Sequence, residues 1–188
     1  GEWAYGYSYF YFDVSQFIQE GANTVAVKLS NKEFASRWYP GAGLYRKVSV
    51  IIKNNESIDQ WGQFITTPFI SDAVAKVNIK TKASGENTRL VTTIFDAEGH
   101  KVSAEESSLR FGKEFDQNLK VENPKLWSPE TPYLYKAVAQ LYVGNELKDE
   151  VATRFGIREI KYEANKGFSL NGKVTKFKGV CLHHDLGP

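Results

Sequence analysis

The sequence predicts an all-β fold, an immunoglobulin-like β-sandwich with partial β segments on either side. Aromatic residues make up 14% of the chain, and such residues favour the half-buried surface of a pleated sheet. Seven strand-like segments follow one another between residues 60 and 158, with turn residues at intervals typical of sandwich domains. The segments before and after this region hold too few strands to close a sandwich of their own. We therefore interpret them as parts of neighbouring domains.

The first segment, residues 1–55, opens with a dense aromatic run and continues with two strand candidates. A possible helix or turn cap at Asp13 and a turn at Gly21 precede the first candidate, 24–29. The second candidate, 48–52, comes just before the predicted boundary. We expect this segment to be the end of a domain.

The central segment, residues 60–158, carries the sandwich. Its second strand candidate is the clearest, because Ala75, Val77 and Ile79 alternate with polar residues, the pattern of a strand with one solvated face. The pair Gly144-Asn145 predicts a tight hairpin. The Cys–Trp–Cys pattern of antibody domains is missing from the sequence, so the prediction is for the wider sandwich class. The seven candidates are 64–70, 73–81, 89–96, 101–109, 114–121, 133–143 and 147–155.

The last segment, residues 159–188, predicts a hairpin with an Asn171-Gly172 turn, its strands at 168–170 and 174–177, and then a short strand at 178–182. That strand ends in the most suggestive polar cluster of the chain, His183, His184 and Asp185. Adjacent histidines point apart on a strand, so a metal would need further ligands. A polar turn after a strand is the alternative interpretation.

Composition excludes several classes of function. The net charge is +2 and Lys and Arg form no stripe, so nucleic acid is not expected as a partner. No apolar run approaches the roughly 18 to 20 residues of a membrane span. The single cysteine, Cys181, rules out a disulfide within the chain, and we interpret it as a small buried hydrophobic residue rather than a nucleophile.

Other candidates for chemistry are weaker. Glu105 and Glu106 are expected on a solvated face, and Glu130 lies in a loop that two prolines stiffen. None of these acids has a partner that the sequence identifies. The aromatic loop 37–40 is able to stack on a sugar, but its place before a domain boundary favours packing at a junction.

Several strings, taken in order, resemble glycoside hydrolase family 2, which contains β-galactosidases, β-glucuronidases and β-mannosidases. The most distinctive is Leu-Trp-Ser-Pro-Glu-Thr-Pro-Tyr-Leu-Tyr at 126–135. The resemblance covers nearly the whole chain, and its ending is most similar to bacterial β-galactosidases. The other resembling strings are 11–15, 20–27, 38–46, 155–158, 168–173 and 178–180.

The resemblance implies a division into three parts. Residues 1–55 would be the C-terminal part of a jelly-roll sugar-binding domain, 60–158 the immunoglobulin-like sandwich, and 159–188 the lead-in and first strand of a TIM-barrel catalytic domain. Family enzymes are retaining glycosidases with two glutamates about 5 to 5.5 Å apart, which later barrel strands carry. The resemblance therefore implies a structural spacer without catalytic residues, and no hydrolysis by this chain alone.

In the whole enzyme the resemblance assigns sugar contacts to His183, Asp185 and, less directly, His184. Active sites of TIM barrels lie at the C-terminal ends of the strands, which agrees with this assignment. Mg²⁺ or Na⁺ is a possible cofactor of the whole enzyme, whereas no cofactor or metal site is expected in this chain. The implied partners are the remaining domains and a carbohydrate substrate, and the resemblance leaves open a homo-oligomer of the whole enzyme. The sequence leaves the compartment open between the bacterial cytoplasm and the periplasm.

A second interpretation comes from another class, a freestanding carbohydrate-binding or adhesion module of immunoglobulin-like fold. Both ends of the sequence look cut in mid-domain, which argues against it. A chaperone-like periplasmic sandwich is a third possibility without specific support.

Overall fold

The computed structural model describes residue 2, residues 8–30 and residues 43–181. The chain divides into two compact units, residues 1–50 and residues 51–188. The second unit contains the sandwich and the hairpin that follows it.

The sandwich consists of two antiparallel sheets, as the sequence predicts. One sheet has three strands in the order β1-β2-β5, and the other has four strands in the order β4-β3-β6-β7. Consecutive strands therefore cross between the sheets after β2, after β4 and after β5, which is the connectivity of an immunoglobulin-like domain. The strands are β1 (Ile58–Ile70), β2 (Val74–Ala83), β3 (Thr88–Phe95), β4 (Lys101–Leu109), β5 (Glu114–Glu122), β6 (Tyr135–Val143) and β7 (Glu146–Phe155).

Alternating apolar residues build the core between the two sheets. Ala75, Val77 and Ile79 of β2 are fully buried, and so are Ile94 of β3 and Ala137 of β6. Ile94 and Ala137 are directly paired across their strands. The period-2 pattern in the sequence therefore identifies the inner faces correctly.

The first strand begins at Ile58 and not at residue 64, where the alternation becomes clear in the sequence. The register of β1 on β2 shifts between Ile58 and Gln63, which marks an irregularity of the bulge type. Gly62 lies at this point, and a Cβ on it would come within 2.8 Å of two backbone oxygens, those of Asp59 and Lys82. Such a bulge interrupts the alternation and hides the start of the strand.

A third, small sheet follows the sandwich, with β8 (Ile160–Glu163), β9 (Gly167–Leu170) and β10 (Lys173–Val174) in the order β10-β9-β8. The expected Asn-Gly hairpin joins β9 to β10, and Asn171 and Gly172 both have positive φ, 51° and 76°, as a type I′ turn requires. The expected strand at 178–182 is not formed over its described residues 178–181, and β10 ends before residue 177. Strands require a hydrogen-bonded neighbour, and none lies beside these residues in the described chain.

Residues 8–30 and 43–57 contain no strand, so the expected strands at 24–29 and 48–52 are wrong for this structure. Both segments are exposed over their whole length, and no described strand pairs with them. Of the expected helix or turn cap at Asp13, only the turn contact is present: the Asp13 carboxylate accepts a hydrogen bond of 2.9 Å from the Ser15 backbone N–H, while the N-cap of the helix is Val14, without a side-chain hydrogen bond. This is the short 3₁₀ helix Ser15–Phe17.

Candidate functional site

The residues that the sequence assigns to a sugar pocket, His183, His184 and Asp185, lie outside the described residues, and so does the aromatic loop 37–40. Cys181 is described and is exposed, so its interpretation as a buried residue is wrong. The segment 178–181 forms no strand, and no residue of the described part of the chain covers the thiol.

A region of hydrogen-bonded and charged groups lies where the sandwich joins the small sheet. The connection between β5 and β6 carries Trp127, whose backbone N–H donates to the Ile157 carbonyl at 2.8 Å. The Arg158 guanidinium lies over the indole ring, 4.9 Å from its centroid. A Cβ on Gly156 would come within 2.7 Å of the Trp127 Cβ. Glycine is therefore required at 156 for the chain after β7 to pass this close to Trp127.

Asn171 ties the hairpin to this region. Its side-chain Nδ2 donates to the Trp127 carbonyl at 3.0 Å, and its Oδ1 accepts from the Glu159 backbone N–H at 3.0 Å. The Asn171 backbone N–H in turn donates to the Glu159 carbonyl at 2.9 Å. A single residue thus uses three of its hydrogen-bonding groups to hold the hairpin against two other segments. We call this arrangement of Asn171, Glu159 and Trp127 the junction clasp.

The loop around Trp127 is itself stiff. The Ser128 backbone N–H donates to the Thr131 carbonyl at 3.0 Å, and the Thr131 N–H donates to the Ser128 hydroxyl at 3.1 Å. The Glu130 carboxyl is exposed, and its pKa is lowered. The larger cause is a hydrogen bond from the backbone of Glu130, and the second is a hydrogen bond from the Ser128 side chain. Glu130 therefore has a local structural partner that the sequence did not identify.

Two tyrosines hold the same loop against the sandwich. The Tyr135 hydroxyl at the start of β6 accepts from the Lys125 backbone N–H at 2.9 Å. This contact has the form of the tyrosine corner of immunoglobulin-like domains. Burial raises the pKa of Tyr135. The Tyr133 hydroxyl donates to Glu98 at 2.8 Å, and this hydrogen bond lowers the pKa of the Glu98 carboxyl. Sequence reasoning missed both roles, although a tyrosine at the start of the sixth strand is a usable signal.

The remaining acids are partnered on the sandwich. Glu106 pairs with Arg89 at 3.1 Å, whereas Glu105 accepts from the Asn118 backbone N–H of the opposite sheet at 2.8 Å. Glu105 is half-buried, so the expectation of a solvated pair holds for Glu106 and is wrong for Glu105. The reason is that Glu105 and Glu106 point to opposite faces of β4.

A cavity of about 420 Å³ lies beside the junction clasp. Of its lining residues only Arg158 is charged, so it holds no pair of groups for acid–base or nucleophilic catalysis. Over residues 8–30 and 43–181, no cluster of three or more His, Cys, Asp or Glu is arranged to hold a metal ion. The same residues contain no helix with the length and hydropathy of a membrane span. The cavity is lined by Ile65, Thr66, Thr67, Phe155, Gly156, Arg158 and Ile160.

Comparison with known proteins decides the family. The family described as "Glycosyl hydrolases family 2" matches residues 58–158, which run from the start of β1 to the residue that covers Trp127. The chain belongs to this family. The resemblance seen in the sequence is therefore confirmed, and the sandwich is the immunoglobulin-like domain of a family 2 protein.

Family 2 relatives match almost the whole chain. The β-galactosidase BoGH2A of Bacteroides ovatus is 38% identical over 97% of this chain and 23% of its own length. A putative β-glucuronidase of Formosa agariphila is 36% identical over 100% of this chain and 18% of its own length. The chain thus spans about a fifth of the length of these relatives.

Solved structures of the family share the fold. The crystal structure of a family 2 member from Bacteroides cellulosilyticus matches with a TM-score of 0.67 and 34% identity, over 71% of this chain and 20% of that one. The crystal structure of a β-glucuronidase from Bacteroides uniformis matches with a TM-score of 0.60 and 28% identity, over 71% of this chain and 18% of that one. Relatives with both activities are therefore similar to this family 2 chain.

Proposed function

We propose that this chain is the central, non-catalytic section of a retaining family 2 glycosidase, and that this enzyme is a β-galactosidase acting on terminal β-D-galactosyl residues. The observation that carries the proposal is the identity of 38% to a relative named as a β-galactosidase, over 97% of the chain. The proposed division is 1–55 in the jelly-roll domain, 60–158 in the sandwich and 159–188 leading into the barrel. The partners are the remaining domains of the same enzyme.

The sandwich acts as a structural spacer in this proposal. Its two sheets enclose two clusters of buried apolar residues, and the small sheet is attached to one end through the junction clasp. A rigid body with a fixed attachment point suits a module that holds neighbouring domains at a set separation.

The glycone separates the proposal from its nearest competitor, a β-glucuronidase. The test assays the full-length enzyme on p-nitrophenyl β-D-galactoside and on p-nitrophenyl β-D-glucuronide under the same conditions. We expect kcat/KM to be higher for the galactoside. A higher value for the glucuronide would overturn the β-galactosidase assignment and leave the family unchanged.

His183 contacts the glycone in the proposed pocket, with Asp185 and then His184 as further sugar contacts. Replacing His183 by Ala removes a polar contact, so kcat/KM of the full-length enzyme should fall about tenfold or more. The exposed His100, which pairs with Asp96 in the sandwich at 3.1 Å, provides the control, and His100→Ala should leave kcat/KM unchanged. An unchanged kcat/KM in His183→Ala would remove this residue from the pocket.

The isolated chain is proposed to hydrolyse neither substrate, since both catalytic glutamates belong to later barrel strands. Any Mg²⁺ or Na⁺ is proposed to bind the whole enzyme and not this section. A titration of the isolated chain with galactose tests the competing idea of a binding module. Saturable binding at millimolar concentration or below would favour that idea over a spacer.

A further inference from the structure

Three polar side chains meet in the interior of the sandwich, on the side where β1 lies beside β7. Gln63 of β1 and Thr81 of β2 are direct partners in the antiparallel register, whereas Thr153 of β7 belongs to the opposite sheet. The Thr153 hydroxyl donates to Gln63 Oε1 at 2.5 Å. Thr81 is fully buried and Gln63 is half-buried. These polar groups therefore connect the two sheets away from solvent.

Two atoms of this group are buried without a hydrogen-bond partner among the residues that the structure describes. They are Gln63 Nε2, which is a donor, and Thr81 Oγ1, which can donate and accept. Direct partners in an antiparallel pair have Cβ atoms about 4.5–5.5 Å apart, yet these two side chains make no hydrogen bond with each other. An unpaired buried polar group is costly, so two of them side by side indicate a shared partner.

Turning the Gln63 amide over does not supply that partner. The exchange would place the amide nitrogen against the Thr153 hydroxyl and the amide oxygen at the present position of Nε2. An atom at that position makes no hydrogen bond with Thr81 Oγ1, so the Thr81 hydroxyl would still be unpaired. The partner therefore has to come from outside these side chains.

A water molecule matches the chemistry of the two atoms. It accepts from Gln63 Nε2 and exchanges a hydrogen bond with the Thr81 hydroxyl, and buried waters typically bridge groups of this kind with about three hydrogen bonds. Further partners are available nearby, because the register of β1 on β2 shifts between Ile58 and Gln63 and a bulge leaves backbone groups outside the ladder. A metal ion does not match, since the amide nitrogen presents hydrogens and hard cations need several oxygen ligands.

We infer that the sandwich binds an internal water molecule between Gln63 Nε2 and Thr81 Oγ1, and that this water completes a polar bridge from β2 through β1 to Thr153 of β7. On the other side of the sandwich, Gln117 of β5 and Thr92 of β3 form a bridge by direct contact, at 2.5 Å. The bridge beside the bulge includes water, whereas the other is made by side chains. The inference concerns the sandwich alone and is independent of the sugar that the enzyme hydrolyses.

Direct observation of the water is the first test. A crystal structure of the full-length enzyme should show an ordered water oxygen within about 3.2 Å of both Gln63 Nε2 and Thr81 Oγ1. A direct hydrogen bond between the two side chains would overturn the inference, and so would well-ordered side chains with no water between them.

Substitutions at Thr81 test whether its hydroxyl holds the water. Thr81→Val keeps the shape of the side chain and removes the hydroxyl, so crystals of this variant should lack the water. Thr81→Ser keeps the hydroxyl, and the water should stay. Thr93→Val is the matched control, because Thr93 is half-buried on the outer face of β3, and it should also leave the water in place. A water retained in Thr81→Val would show that the hydroxyl is not its ligand and would overturn the site.

Urea unfolding of this chain gives a second measurement whose sign is decisive. If a water pairs with the hydroxyl, Thr81→Val loses a hydrogen bond, and the folding equilibrium constant should fall about fivefold relative to Thr93→Val. If the hydroxyl has no partner in the folded chain, its removal relieves the cost of burying it, and the constant should rise. A rise, or no difference between the two variants, would overturn the inference.

Discussion

Gln117 is the residue whose place in the fold the sequence indicates least. It lies on the inner face of β5 and is fully buried, where the alternation with Phe115 and Leu119 would favour an apolar side chain. Its Oε1 accepts from the Thr92 hydroxyl at 2.5 Å, and its Nε2 lies within hydrogen-bond distance of the Leu90 and Glu105 carbonyls. The amide therefore links strands of both sheets, and its burial is compensated by several partners.

Gln117→Ala should destabilise the sandwich by about 2–4 kcal/mol, because it leaves a cavity and leaves buried polar groups without hydrogen-bond partners. Urea unfolding of the variant measures the loss. Gln140→Ala is the matched control, since Gln140 is half-buried on β6 and bonds to the exposed Glu150 at 2.7 Å. It should cost less than about 1 kcal/mol. Equal losses in the two variants would show that the inter-sheet bonds contribute nothing specific.

At the scale of a structural element, the connection between β5 and β6 is held in place by several contacts. It is an irregular segment, yet it is bound at Lys125 by the Tyr135 hydroxyl, at Trp127 by the Ile157 carbonyl and by the clasp. The Tyr135 ring is buried and packs edge-on against Tyr133, with centroids 5.1 Å apart. These contacts attach the connection to the sandwich at several points along its length.

The stability of the chain should fall at alkaline pH through Tyr135. Burial raises the pKa of this phenol above its usual value of 10.0, so the unfolded chain loses the proton at lower pH than the folded chain. The associated stability is fully present below pH 10 and is lost as the pH rises through the folded-state pKa. Urea unfolding between pH 8 and about 11.5 checks this.

Tyr135→Phe should remove that part of the pH dependence and cost about 1 kcal/mol at neutral pH, because the Lys125 N–H loses its acceptor. Tyr162→Phe, at an exposed tyrosine of β8, should change neither quantity. An identical alkaline slope in Tyr135→Phe and the original chain would contradict the assignment.

On the scale of the whole molecule, the two units differ in how much apolar surface they cover. The described residues of the first unit are exposed throughout, and they include Val25 and Val50 at 78% and 80% exposure. Exposed apolar surface of this extent marks a region that normally packs against something else. The second unit instead buries two apolar clusters between the sheets of its sandwich.

Limited trypsin digestion should therefore cut this chain early at Arg46 and Lys47, which are exposed and lie outside any strand. The surviving fragment should retain Lys53, because this side chain pairs with Asp149 of β7 at 3.2 Å and its segment is bonded to the sandwich. Lysines within the paired strands, such as Lys80, should stay intact, since proteases need locally unfolded backbone. Mass spectrometry of the fragments checks the boundary. Early cleavage at Lys80, or equal resistance everywhere, would contradict this division.

Local pattern alone was sufficient for the inner faces of the strands and for the hairpin at Asn171-Gly172, because alternation and turn chemistry act between near neighbours in the chain. It was insufficient for 24–29 and 48–52, where the residues favour a strand but no described neighbour completes the ladder. The same limit applies to 178–181, and the exposure of Cys181 follows from it. The start of β1 was also hidden, because the irregularity near Gly62 interrupts the alternation.

The sequence by itself determined the all-β class, the order of the seven sandwich strands and, through its motif strings, membership of family 2. Only the tertiary structure decided that Gln117 links the two sheets, that the Tyr135 hydroxyl binds the β5–β6 connection and that Asn171 joins the hairpin to Trp127. The physical reason is the separation along the chain between the groups that interact. Strand periodicity and turn geometry are properties of adjacent residues, whereas these polar contacts join groups that are distant in sequence and form only when packing brings their donors and acceptors together.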